Sequence, residues 1–543
     1  MAAASPSPDP ERVEFTLNGA AVSIARDQSL LDGLREELAV ISVKDGCSPQ
    51  GQCGCCTVWV DGAPRVSCVT PAGRVANREV TTLEGLDDAD AWARAFCERG
   101  ASQCGFCTPG IIMRAAAMSA AERAEPVAVR RALLAHLCRC TGWQPIIEAI
   151  GAHGSSTSTD AGGIEISDRA HRRAEIEGGV AQLVDPSVAV GSGGFADDTA
   201  PRRGLVGLRR LARVDDPDVA TDGDPDWALG SGLVAARATA GKVQGRRTTA
   251  AVSWPLEVPV GDWDRVLCTT WVEPAALETD TSWCEPGGIA ASPLANGGAF
   301  GAKADSPLMA EARRLADLTG ETVRLRWSRE DTVRFGPKRP PVAIAMNADG
   351  SGVMYVVRTP GVVEAVARWA PGLRVVEFDI AGPPTSMALR GAVWAELAVV
   401  MSSLRDGPVD EVVGIDGGWA QARLDDDGTV VVTVSCGVDP DDISELAVLR
   451  SYCTGAAHMA LGWVRSESIA VDEDGDPQDL TVRSFGILRA VDTPEIKIEI
   501  EAGGTRQAPG VAVNGSDAVF AAVAAAAWRA GGWASHWPLL SSP

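Results

Sequence analysis

No stretch of this sequence stays apolar for the roughly 20 residues needed to cross a bilayer. The longest runs, such as Ala518 to Trp528, are short and rich in alanine, so no membrane span is expected. Basic residues are in deficit: 49 Lys and Arg stand against 72 Asp and Glu, a formal charge of -23. Such a chain would repel a phosphate backbone, which argues against nucleic acid as a partner. Histidine is scarce too. The five, His136, His153, His171, His458 and His536, include no ligand pair at helical spacing, so zinc-dependent hydrolysis has no support. The first residues carry neither the basic start and apolar run of a secretory signal nor a twin-arginine pair, which predicts a cytoplasmic chain. Gly191-Ser192-Gly193-Gly194 lacks the strand-helix context of a dinucleotide site and reads as a loop. There is no recognisable flavin domain and no fixed-period repeat.

What remains is ordinary globular chain, 45% hydrophobic and 22% charged over 543 residues, long enough for roughly three or four domains. Val13 to Ile24 alternates like two strands joined at Asn18-Gly19, and Thr57 to Cys68 repeats the pattern around Asp61-Gly62. With helical leucine spacing from Leu30 to Leu38, residues 11-86 predict a small mixed α/β domain. Residues 87-150 carry helical signals at Asp90 to Glu98, Gly110 to Ala121, Val127 to Leu137 and Gln144 to Ile150, with Thr141 as a candidate cap for the last. Residues 151-190, rich at first in Gly, Ser and Thr and then in charge, read as a linker. Two α+β lobes are expected after it, 191-345 and 346-543, with a helix over Ser306 to Thr319 and a strand over Val323 to Trp327.

Ten of the fourteen cysteines lie between Cys47 and Cys140, a crowding that favours metal ligands over disulfides in a reducing compartment. Cys47, Cys53 and Cys56, followed by Cys68 beyond the hairpin, approximate the plant-type 2Fe-2S spacing with one extra residue in the first gap. Glycines at 46, 51 and 54 would let amide N-H groups turn toward sulfur. Cys55 is a spare thiol beside Cys56, and a set of plain buried thiols is the alternative. Cys104 and Cys107, then Cys138 and Cys140, form a second quartet near helix N-termini, where the helix dipole favours thiolate. A structural zinc site is the alternative there.

Taken together, Gly46-Cys47 through Cys53-Gly54-Cys55-Cys56-Thr57-Val58 with Cys68, and Gln103-Cys104-Gly105-Phe106-Cys107-Thr108-Pro109-Gly110 with Cys138-Arg139-Cys140-Thr141-Gly142, resemble the xanthine dehydrogenase and aldehyde oxidase family of molybdenum hydroxylases over residues 13 to 150. The resemblance implies a plant-type 2Fe-2S ferredoxin (β-grasp) domain and a four-helix 2Fe-2S-binding bundle, with Gln103 and Cys140 facing a molybdopterin. The downstream chain is similar to the family's molybdopterin-binding lobes. Phe195-Ala196-Asp197-Asp198 resembles their opening strand, Glu273-Pro274 their Glu-Pro element, and Asn296 to Lys303 their glycine-rich cofactor loop. Arg324, Ser328-Arg329-Glu330, Lys338-Arg339-Pro340, Arg390-Gly391-Ala392 and Asp492-Thr493-Pro494-Glu495 follow in order. By that resemblance Gly297, Gly298 and Gly301 approach the pterin and its phosphate, Phe300 packs beside the metal, and Arg390 opens the second lobe. A plain glycine turn and a solvated arginine are the alternatives.

The pattern also breaks. About 350 residues follow the linker, fewer than the family's large subunit holds. No aromatic-Ser-Thr-Gln stretch fits between Glu273 and Gly297, and Gly510 to Gly515 stands where the family carries its catalytic Glu. Asp517 is the nearest carboxylate. The resemblance implies an iron-sulfur component passing electrons from a molybdopterin centre through two 2Fe-2S clusters to FAD on a separate flavin-binding subunit. A full-length molybdenum subunit would be a partner, and a heterocycle or aldehyde the substrate. The alternative is a non-catalytic relay or assembly scaffold whose molybdenum-like half binds no cofactor.

Overall fold

The structure, a computed structural model, describes residues 11-154, 166-177, 180-210, 224, 226-241, 250-405, 407, 410-415, 417-435, 443-501 and 515-539. The N-terminal sheet has five strands in the order Ala20–Ala25, Arg12–Leu17, Glu79–Thr81, Thr57–Val60, Ala63–Val66. Both hairpins close on two residues with positive φ, Asn18-Gly19 and Asp61-Gly62. That conformation matches the strand twist and explains the Asn-Gly and Asp-Gly choice. Val13, Phe15 and Leu17 alternate inward, and a short helix and wider turn over Leu30–Asp32 and Gly33–Glu37 pack Leu30, Leu31 and Leu34 into the same core.

Five helices follow: Ala89–Glu98, Thr108–Ala116, Ala120–Arg123, Pro126–Ala132 and Gln144–Ala152. Pro109, Pro126 and Pro145 all sit in first turns, where a missing N-H costs nothing. Ser119 and Glu122 form a capping box, which splits the helix expected to run from Gly110 to Ala121. Thr141 is not the cap of the last helix. The chain enters that helix through Trp143 at φ 70°, and the Thr141 hydroxyl instead accepts from the Trp143 N-H and lies 3.2 Å from the Cys138 sulfur.

The segment expected as a linker is not all connector. Residues 155-165 fall outside the described ones, but Ile166–Glu177 and Pro186–Ala189 are helical. Arg173 pins the first of these by pairing with Glu445 at 2.7 Å and donating to the Gln182 carbonyl at 3.0 Å. Phe195-Ala196-Asp197-Asp198 is also corrected: Ala196–Thr199 is a helical turn, not a strand. Adjacent strand residues point to opposite faces, whereas here both carboxylates reach one buried cationic cluster. Arg35 meets Asp197 at 2.8 Å and Asp198 at 2.9 Å, Arg326 meets Asp197 at 3.4 Å, and Lys44 pairs with Asp198.

Among the described residues, three four-stranded sheets complete the fold. The first is ordered Trp227–Gly230, Leu205–Arg209, Val323–Arg326, Thr281–Cys284, and the second Leu373–Phe378, Gly352–Val357, Val342–Met346, Arg265–Cys268. The third runs Asp410–Val413, Trp419–Leu424, Val430–Ser435, Ile496–Glu501. A lobe boundary at 345 would cut strand Val342–Met346, whose hydrogen bonds run to Arg265–Cys268 on the earlier side. The division therefore does not fall there. The alanine run expected to be too short for a membrane forms helix Gly515–Ala530, buried from Ala518 to Trp528 against Ile443–Arg465 and the third sheet. Among the described residues no helix is long and apolar enough to cross a membrane.

Candidate metal and cofactor site

The first cluster loop is a buried turn between the helical segment and strand Thr57–Val60, and its thiols converge. The Cys47 thiol is in hydrogen-bonding contact with those of Cys53 and Cys68, and Cys68 with that of Cys56. The Gln50 N-H points at the Cys47 sulfur from 3.1 Å. The Cys53 and Cys68 thiols, helped by backbone amides, hold the Cys47 thiol far below its ordinary range against the effect of burial. Gly51 and Gly54 have φ of 71° and 74°, and a side chain at 54 would strike the His136 ring at 2.5 Å. Cys55 is not idle. Its thiol touches that of Cys53 and feels the charge of Cys138 in the second quartet.

The second quartet assembles around the N-terminus of Thr108–Ala116, whose cap is Cys107. The Cys104 and Cys140 sulfurs are 3.6 Å apart, and Cys107 is in contact with Cys138. Contact with Cys107, helped by the Thr141 hydroxyl and the Thr141 and Cys140 amides, pulls the Cys138 thiol down to about 7 although burial opposes it. Cys138 and Cys140 are set on the loop before Gln144–Ala152 rather than on a helix end. All eight assigned cysteines are buried. The quartets are joined by one backbone bond, Leu137 N-H to Cys53 O at 2.9 Å, and Gly110 packs so tightly on the first loop that a Cβ there would lie 2.4 Å from Gly54 O.

Arg329 donates to the carbonyls of Ala276, Leu277 and Gly46 at 2.5-2.8 Å, tying the first cluster loop to the lobe behind it. Arg139, between two cysteines of the second quartet, forms a forked pair with Glu467 at 2.5 and 2.6 Å.

Behind Cys140 opens a cavity of about 710 Å³, within the range of cofactor pockets. Its wall gathers the six cofactor-binding candidates from the sequence, Gln103, Gly297, Gly298, Phe300, Gly301 and Arg390, together with Asp517. Gly297, Gly298 and Gly301 all have φ between 74° and 85°, and a Cβ would meet Gln182 at 2.1 Å, the Cys104 sulfur at 2.9 Å and Ala388 O at 1.8 Å, respectively. Only glycine satisfies both the dihedral and the space. The Gln103 amide donates to Cys140 O at 3.0 Å and to the Ser451 hydroxyl at 2.8 Å, which locks it against the sulfur quartet. Arg390 pairs with Asp517 at 3.0 Å and its guanidinium lies 5.9 Å from the Phe300 ring centre. Gly510 to Asn514 lie outside the described residues.

Sequence reasoning missed Ser451, Tyr452, Arg173 and Gln182, which also line or brace this wall. They come from the supposed linker and from the helix Ile443–Arg465, neither of which carries a local motif. The buried thiol quartets fit iron-sulfur clusters in donor type and in amide supply. The glycine cradle beside Cys140 fits a flat, bulky cofactor.

Comparison with known proteins agrees with this geometry. The [2Fe-2S] binding domain family model matches residues 82-151. The xanthine dehydrogenase iron-sulfur-binding subunit of Escherichia coli O157:H7 is 41% identical over 145 residues, which is 25% of this chain and 91% of that protein. The nicotine 6-hydroxylase small subunit of Paenarthrobacter nicotinovorans is 38% identical over 152 residues, 27% of this chain and 92% of that one. In fold, the aldehyde oxidoreductase of Desulfovibrio desulfuricans superposes with a TM-score of 0.72 at 16% identity, over 98% of this chain and 99% of that one. This extends the likeness of fold beyond the cysteine-rich region to both lobes.

Proposed function

Because this chain belongs to the xanthine dehydrogenase and aldehyde oxidase family of molybdenum hydroxylases, we propose that it is the iron-sulfur electron conduit between a molybdopterin at the cavity and FAD on a separate flavin-binding subunit. Bound 2Fe-2S clusters supply one-electron transfer, and a molybdopterin supplies oxidation of the substrate. Cys47, Cys53, Cys56 and Cys68 would hold one cluster, and Cys104, Cys107, Cys138 and Cys140 the other. The observation that carries the reading is their serial order. Cys140 and Gln103 face the cavity, and the Leu137-Cys53 hydrogen bond joins the second quartet to the first. Val69, next to Cys68, is half exposed, which favours that side for the approach of a flavin-bearing partner. Relatives named for xanthine and nicotine, and a fold neighbour named for aldehydes, favour a heterocycle or aldehyde as substrate.

A second reading is a relay or assembly scaffold beside a full-length molybdenum subunit. It is favoured by one feature of the cavity: the charges of Arg390 and Arg173 are already met by Asp517 and Glu445. Among the described residues of its wall, cofactor phosphate would find no unspent cation. Asp517, held by Arg390, is likewise poorly placed to serve as a base. Reduction of the purified full chain with dithionite tests the conduit: the visible colour should bleach and two distinct paramagnetic signals should appear. Cys104→Ser should remove one signal and spare the other; retention of both would reject the ligand assignment. Molybdenum bound to this chain alone supports the cofactor-bearing form, and iron without molybdenum the scaffold.

A further inference from the structure

The strand Arg265–Cys268 lies at one edge of the second sheet, and the segment containing Ser535, His536 and Trp537 closes over it. Cys268 N-H donates to Ser535 O at 2.6 Å and Trp537 N-H to Cys268 O at 2.9 Å. This parallel bridge registers Cys268 beside His536. Glu257 reaches the pair from the preceding extended segment, with one carboxylate oxygen 3.9 Å from the Cys268 sulfur and the other 3.0 Å from His536 Nε2. The donor atoms of all three lie within 4.8 Å of one another. Trp254 braces the arrangement by donating from Nε1 to Trp537 O at 2.6 Å and setting its ring edge-to-face against His536. None of these residues lines the large cavity.

We propose that Cys268, His536 and Glu257 bind one divalent cation of the zinc class, with water in the remaining position. The donor set of sulfur, imidazole nitrogen and carboxylate oxygen suits zinc and not the hard, all-oxygen cations. Ser535 Oγ lies 2.9 Å from His536 Nδ1. A hydrogen bond from Nδ1 would leave the Nε2 lone pair facing the site, the outer-shell support typical of a ligating histidine. Burial and, next, the Glu257 carboxylate push the Cys268 thiol up to about 12. A bound cation would relieve both by neutralising the thiolate. The same shift argues against a nucleophilic cysteine, which needs a lowered pKa. The Glu257 and His536 side chains are 66% and 35% exposed, which leaves the cation a way in from solvent. Once bound, it would staple the C-terminal segment to the sheet edge.

The test uses the full-length, iron-loaded protein, dialysed against zinc chloride and then metal-free buffer, with zinc and iron counted by elemental analysis. A single zinc per chain is expected on top of the iron. Glu257→Gln, a surface change, should weaken retention about tenfold or more, and Cys268→Ala and His536→Gln should abolish it, with iron unchanged in all three. Absorption spectroscopy at the zinc edge should show one sulfur at about 2.3 Å and lighter ligands at about 2.0-2.1 Å. No retained zinc, equal retention in all three variants, or a shell of four sulfurs would overturn the proposal. Because Glu257→Gln leaves the core intact, the outcome does not depend on whether the Cys268 variant folds.

Discussion

Replacing Arg139 by Met would remove the cation of a pair whose side chains are 7% and 1% exposed, and leave the Glu467 carboxylate buried without a partner. Breaking such a pair from one side costs about 3-5 kcal/mol, whereas replacing both partners by well-packed apolar residues is often neutral. Arg139 also donates from Nε to Pro274 O at 3.1 Å, so part of the loss in the single variant is a carbonyl left unpaired. Urea unfolding followed by tryptophan fluorescence should therefore show Arg139→Met destabilised by about 3-5 kcal/mol. The double variant Arg139→Met, Glu467→Met should recover most of it. High salt should leave the difference in place, because the pair is shielded from solvent. A single-variant loss under about 1 kcal/mol, the scale of an exposed pair, or a double variant no better than the single, would refute the reasoning.

Three further outcomes follow from named contacts. Gly298→Ala places a Cβ 2.9 Å from the Cys104 sulfur at φ 78° and should lower iron content by about one cluster; Gly62→Ala, with similar φ and nothing within 4 Å, should keep its iron and lose only about 1-3 kcal/mol to backbone strain. Cys55→Ala should retain full iron while Cys56→Ala loses one cluster, as read by iron analysis; the reverse would move the ligand to Cys55. His458 is buried beside Arg139, and burial first, then that charge, hold its imidazole down to about 3. The fold keeps this ring neutral while the unfolded chain takes up a proton near its ordinary 6.5. Its contribution is therefore complete above that pH and is lost as pH falls toward 3, by about 3 kcal/mol at pH 4.5. Unfolding midpoints at pH 7 and 4.5 should show a shallower decline in His458→Gln than in the unaltered chain.

What the sequence revealed is what local spacing controls. Asn18-Gly19 and Asp61-Gly62 announced their hairpins because only a few residues accept two positive φ angles in succession. The cysteines grouped into two sets because most ligands of each lie within a few residues of one another. Gly297, Gly298 and Gly301 stood out only through the family resemblance, and the structure supplies the reason they are glycine: a Cβ at each would meet Gln182, Cys104 or Ala388. What stayed hidden depends on partners far along the chain. Gln50 bonds Glu330 at 2.9 Å across 280 residues, and Arg173 meets Glu445 across 272. No local pattern encodes such a bond, so helix Ile166–Glu177 read as a linker. The turn Ala196–Thr199 read as a strand for a related reason: its conformation is set by Arg35, Lys44 and Arg326, which the neighbouring sequence does not contain.

The electron-conduit account stands on the metal held by the two thiol quartets, so iron and acid-labile sulfide per full-length chain is its most direct measurement. Four irons and four sulfides per chain, with visible colour, are the predicted result. A colourless protein with zinc in either quartet, or iron without sulfide, would contradict it.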